Sequence, residues 1–132
     1  MRTLLLITSV LALPSAANDG GVPRGGRTIE SVRLLYFHAT WCGSCRRLDE
    51  AKVPDAITAR LPALRLERVD VDTNEALRTR YGVEVTPTLV LVDADGFPLG
   101  RPRLDLDDPA GTVERAVKLV EKMTRRRLTG SP

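Results

Sequence analysis

Cys42 and Cys45 are the only two cysteines in 132 residues, and they stand three apart in the phrase Trp41-Cys42-Gly43-Ser44-Cys45. The phrase follows the apolar run Val32-Arg33-Leu34-Leu35-Tyr36-Phe37, so the pair falls where a strand gives way to a helix. A thiol at the amino end of a helix meets backbone amides that lack partners, and these favour its ionised form. Free cysteine has a pKa near ~8.5, and each unit of lowering favours the thiolate by about 1.36 kcal/mol. The spacing therefore suits reversible disulfide exchange, with Cys42 as the attacking thiol. Cys45, one turn further along and less exposed, would resolve the mixed disulfide. Arg46 and Arg47 add positive charge nearby, and Ser44 is placed either to hydrogen-bond a thiolate or to help cap the helix.

Other uses of two thiols give weaker expectations. A purely structural bridge closing so short a loop contributes only about 2 kcal/mol in the chain-entropy model. A zinc site normally takes four ligands, and the chain offers two cysteines and one histidine, His38, which leaves an incomplete or copper-type site as the metal alternative. An adaptor that binds through the same thiols, without exchange, is the reading from another functional class. The acidic stretch Asp70-Val71-Asp72-Thr73-Asn74 starts like a calcium loop but carries Glu75 where glycine is needed and Tyr81 where glutamate is needed. It reads as a strand end and helix cap.

The elements that would carry the pair alternate along the chain. Val32 to Ala39 reads as a buried strand, Gly43 to Leu61 as helix, Leu64 to Val71 as strand and Asn74 to Tyr81 as a short helix. Pro54 removes a backbone donor and clashes with the preceding turn, so a kink or two helices meeting near Val53 is expected. Thr88 to Val92 and Phe97 to Leu104 read as strands joined by the turn Asp93-Ala94-Asp95-Gly96. The last helix has Asp108 as its cap, Pro109 in its first turn, and Val113, Ala116, Val117, Val120 and Met123 as its apolar stripe. Together these predict one α/β domain with a central mixed sheet flanked by helices.

Hydrophobic residues at 42% and charged residues at 28% are ordinary globular values, which excludes collagen-like, disordered and multi-span membrane classes. Arg2, the apolar stretch Leu4 to Leu13, and the small residues Ser15 and Ala17 have the layout of a signal peptide cleaved after Ala17. The stretch is short of the roughly 20 residues a membrane span needs. The expected organisation is a signal peptide at 1–17, a Gly-rich flexible lead-in at 18–27, a folded domain at 28–128 and a tail at 129–132. Export follows, to the periplasm if the source is a Gram-negative bacterium and otherwise as a secreted or membrane-anchored protein. Loss of Arg2 with the leader lowers the formal charge from +3 by one. That is too small to argue for nucleic acid, and Arg125-Arg126-Arg127 reads as a helix end, since no aromatic residues interleave with it.

Three features in order, Trp41-Cys42-Gly43-Ser44-Cys45, Tyr81-Gly82-Val83 and Val85-Thr86-Pro87-Thr88-Leu89, resemble the thioredoxin superfamily over about residues 32 to 127. The resemblance is greatest to exported thioredoxin-like reductases, including the periplasmic C-terminal domain of DsbD-type transmembrane thiol reductases. It implies a thioredoxin-like fold, a redox pair Cys42-Cys45, Trp41 flanking the site, and a substrate loop at Thr86-Pro87 with a cis peptide before Pro87. Thr86 would pair its backbone with an extended substrate segment. It further implies protein disulfide substrates, a membrane-embedded thiol donor, no bound cofactor or metal, and a monomer, with reduction preferred over oxidation as the direction. Two positions depart from the pattern. Tyr36 stands where the family has a buried Asp that deprotonates the resolving thiol, and Arg68 stands where a Lys partners that Asp. The segment before Val32 is also too short for the family's full first strand and helix, leaving either a remnant at Thr28 to Ser31 or a domain that starts at the second strand.

Overall fold

The segment Leu34-Leu35-Tyr36-Phe37 is apolar at every position, so as a strand it needs both faces covered. The computed structural model describes residues 29–128, with side chains through Arg126, and places this segment in β1 (Arg33–His38). The expected leader, lead-in, Thr28 and tail lie outside the described residues. After β1 come α1 (Gly43–Glu50), α2 (Val53–Arg60), β2 (Arg65–Asp70), α3 (Glu75–Arg80), β3 (Thr88–Val92), β4 (Pro98–Gly100) and α4 (Pro109–Leu128). One 3-10 turn, Ile29–Ser31, precedes β1.

The four strands form a mixed sheet in the order β2-β1-β3-β4. β1 pairs in parallel with β2 (Tyr36 opposite Arg68) and antiparallel with β3 (Tyr36 opposite Leu89). Because side chains alternate along a strand, β1 and β3 feed two separate cores. Leu34, Tyr36, Leu89 and Leu91 pack with Leu48, with Val53 and Ile57 of α2, and with Val113, Ala116, Val117 and Val120 of α4. Leu35, Phe37, Val90 and Val92 pack on the opposite side with Val69, Tyr81, Val83, Cys42 and Cys45. Met123 is partly buried against the first core.

Where the strong periodicities end, local chemistry sets the boundaries. The helix after the cysteines divides into α1 and α2 at Lys52, which takes the left-handed conformation at φ 58°, and Pro54 then occupies the first turn of α2, where its missing donor is harmless. Asp108 caps α4, its carboxylate accepting the Gly111 amide at 2.9 Å. Asn74 occupies the cap position of α3 without a side-chain cap bond; its amide donates instead to the Asp70 carbonyl at 3.0 Å. The fourth strand is shorter than the expected Phe97 to Leu104. Phe97 is 65% exposed, Arg101 turns its guanidinium to the Tyr81 carbonyl, and Pro102 has no donor for a ladder, so pairing stops at Gly100. The connecting turn needs Gly96, whose φ is +82° and whose added Cβ would lie 2.9 Å from an Arg80 nitrogen.

Ile57 is fully buried, so Ile57→Ala is expected to lower the unfolding free energy by about 2–5 kcal/mol, whereas Phe97→Ala stays within about 0.5 kcal/mol of wild type. Urea denaturation of the two variants checks this.

Candidate functional site

β1 ends at His38 and α1 begins at Gly43, and the four residues between them bring Cys42 to the head of the helix. Cys42 is the N-cap, extended at φ −80° and ψ 106°, with its carbonyl accepting the Arg46 amide at 3.2 Å. Its Sγ accepts the backbone amide of Cys45 at 3.1 Å. The sulfur thus does the work a serine or aspartate oxygen does at other helix starts. Cys42 and Cys45 are joined as a disulfide with their Cα atoms 5.2 Å apart. Both are buried in the second core, Cys42 at 4% exposure and Cys45 at 2%.

Charge around the pair is modest. Arg46 is exposed, and Arg47 is paired with Asp107 at 3.2 Å, which offsets its charge. Tyr36, fully buried in the first core, reaches the turn of Cys45 with its hydroxyl, which donates to the Cys45 carbonyl at 3.3 Å. The Arg68 guanidinium sits 5.1 Å from the centre of the Tyr36 ring and holds both Asp49 carboxylate oxygens, at 3.0 and 3.3 Å. Burial pushes the Tyr36 phenol up to about 12; the Asp49 carboxylate adds to the rise and Arg68 opposes it.

Next to the pair, Trp41 is 67% exposed, and its indole donates to Asp72 at 2.9 Å. The tie follows from topology. Parallel register sets His38 opposite Asp70, so the segments leaving β1 and β2 emerge at one edge of the sheet. Trp41, Val71, Asp72, Arg78, Val83, Glu84, Val85 and Thr86 line a groove of about 290 Å³ there. Trp41 and Thr86 are thereby brought together. Pro87 does not line the groove; it stands half-buried before β3, and the Thr86-Pro87 peptide is cis. Val85 projects at the rim, 71% exposed.

His38 is half-buried, its ring 5.6 Å from that of Tyr36. Among the described residues no group of three or more His, Cys, Asp or Glu is placed to hold a metal ion. Sequence reasoning passed over Asp72 as a partner for Trp41, and Asp49 altogether. Parallel pairing of the two strands was the signal for the first. For the second, the signal was the four-residue spacing from Cys45 to Asp49.

A four-stranded mixed sheet between helices, carrying a Cys-x-x-Cys disulfide at a helix head, defines a thioredoxin-type redox protein. Residues 27–100 match the thioredoxin family model, and the chain belongs to that family. It is 32% identical over 100 residues to mouse protein disulfide-isomerase A6, an alignment covering 68% of this chain but only 21% of that protein. It is 38% identical over 87 residues to the thioredoxin of Listeria monocytogenes, covering 61% of this chain and 82% of that one. Among solved structures, a mutant thioredoxin from Halobacterium salinarum superposes with a TM-score of 0.53 at 32% identity, over 71% of this chain and 75% of that one. Trypanosoma brucei thioredoxin, at 21% identity and a TM-score of 0.57, is alike in fold.

Two spectroscopic outcomes follow from this geometry. Trp41 is the single tryptophan, so Asp72→Ala is expected to free the indole and lower its fluorescence anisotropy with no loss of secondary structure. In an alkaline absorbance titration, Tyr36 is expected to ionise near 12, and Tyr36→Phe removes that step. Between the unfolded value of about 10 and the folded one, the native state keeps a proton that the unfolded chain has lost. Stability contributed by Tyr36 is therefore complete below the lower value and lost as pH rises through the upper one.

Proposed function

We propose that the chain is an exported thiol-disulfide oxidoreductase that reduces disulfides in protein substrates. The observation that carries this reading is the Cys45 amide aimed at Cys42 Sγ from 3.1 Å. In the dithiol form the same amide donates to a Cys42 thiolate and stabilises it. Cys42 attacks a substrate sulfur and one substrate thiolate leaves. Cys45 then attacks Cys42 Sγ, expels the second thiolate and closes the disulfide, so two electrons pass to the substrate with no cofactor. The groove between Trp41 and Thr86 receives an extended segment next to the scissile bond, with Thr86 offering backbone hydrogen bonds and Pro87 shaping the loop.

Reduction is favoured over oxidation because a strong oxidant needs a heavily stabilised thiolate. Here one amide serves the sulfur, Arg47 is offset by Asp107, and Arg46 is solvated. Export is supported by the pattern of Arg2, Leu4 to Leu13, Ser15 and Ala17, and it makes a membrane-embedded dithiol the natural electron donor, with the protein acting as a monomer.

Insulin reduction under a dithiol donor is expected for the wild type and absent for Cys42→Ser, while Cys45→Ser accumulates a mixed disulfide with substrate. Equilibration with glutathione should give a potential near about −270 mV; a value near about −120 mV with no insulin reduction would turn the assignment to an oxidase.

A further inference from the structure

On the reading just given, the resolving thiol must lose a proton, and the position the family uses for that is occupied by Tyr36. Its hydroxyl already donates to the Cys45 carbonyl, so it carries its own proton and serves the backbone. A carboxylate nevertheless stands close by. Asp49 is four residues beyond Cys45 on α1, and residues at that spacing share one helix face with Cβ atoms about 5–6 Å apart. Arg68, which holds both Asp49 oxygens, lies 5.1 Å from the centre of the Tyr36 ring, so the carboxylate stands on the side of α1 that faces Tyr36 and the Cys45 turn.

We propose that Asp49 is the general base for Cys45, with Tyr36 and Arg68 as positioning residues that hold it and the Cys45 turn in place. Arg68, opposite Tyr36 in the parallel register, grips both Asp49 oxygens from one side and stacks near the Tyr36 ring. A carboxylate has about four lone-pair sites, so the fork from Arg68 leaves others to take a proton directly or through one water. The charged and titratable groups around Asp49 are Tyr36 on β1, Arg68 on β2 and, acting on Arg68 from α2, Asp55. Asp49 is 39% exposed and can pass the proton on to solvent.

The step balances as follows. Cys45 gives its thiol proton to Asp49 while its sulfur bonds to Cys42 Sγ. The bond from Cys42 Sγ to the substrate sulfur breaks, and the electron pair leaves with the substrate thiolate. Asp49 then releases the proton to water. Attack by Cys42 needs none of this, so the two halves of the reaction separate.

Dithiobis-nitrobenzoate resolves them, because the reduced full chain releases one coloured thiolate when Cys42 attacks and a second when Cys45 closes the ring. Asp49→Asn is expected to leave the first release near wild type and slow the second by about tenfold or more at neutral pH, with Asp49→Glu restoring it. In Asp49→Asn the second rate should also rise steadily with pH, as hydroxide takes over from the missing base. Arg68→Gln loosens the hold on the carboxylate but keeps it, so its second release is expected to slow less than in Asp49→Asn and to keep the wild-type dependence on pH. A second release in Asp49→Asn at the wild-type rate overturns the assignment, as does a slowing by Arg68→Gln equal in size and in dependence on pH to that of Asp49→Asn, which would mark a structural pair only. Absence of the first release in the wild type would instead overturn the exchange reading on which the assignment rests.

Discussion

The contact between the Cys45 amide and Cys42 Sγ exists because only four residues separate the end of β1 from the start of α1. Everything else in the domain serves to hold that junction. β1 is buried on both faces, so it cannot shift relative to β3 without exposing one of two cores. Leu48 anchors α1 in the first core while Cys42 and Cys45 belong to the second, so the short helix is pinned across the end of the sheet rather than along one side. The sulfur pair inherits its rigidity from this double attachment.

Much of that frame was legible in the residues. An apolar run identified β1 as a buried strand, Thr88 to Val92 read as a strand, Pro54 marked the division between α1 and α2, and Asp108-Pro109 marked the start of α4. Such signals are local, set by backbone chemistry and by side chains that have only one favourable solvent. What was not legible depends on register between distant segments. Phe97 to Leu104 has a strand-like composition, yet Arg101 finds a carbonyl partner in Tyr81, twenty residues away in sequence, and Pro102 ends the ladder. No window along the chain contains that competition.

The site divides along the same line. The cysteines were named from their own residues, Trp41 and the Thr86-Pro87 segment from the family resemblance, and the structure brings Trp41 and Thr86 to one groove. The stretch from Asp70 to Asn74 was read as a strand end and helix cap, which Asp70 and Asn74 are, but the contact of Asp72 with Trp41 comes from the two strands leaving the sheet at a common edge. The replacement of a family carboxylate by Tyr36 was visible as a departure. Its consequence, a hydroxyl beneath the Cys45 turn with Asp49 and Arg68 beside it, required the pairing of β1 with β2.

That pairing leaves β2 as the outermost strand on its side among the described residues. Arg65, Glu67, Arg68 and Asp70 put both signs of charge along six residues, and only Val69 is buried. A rim of mixed charge gives a second copy no apolar surface to zip onto and makes edge-to-edge stacking into fibres unfavourable. Arg68, which holds Asp49 beside the redox pair, is one of the charges on that described rim.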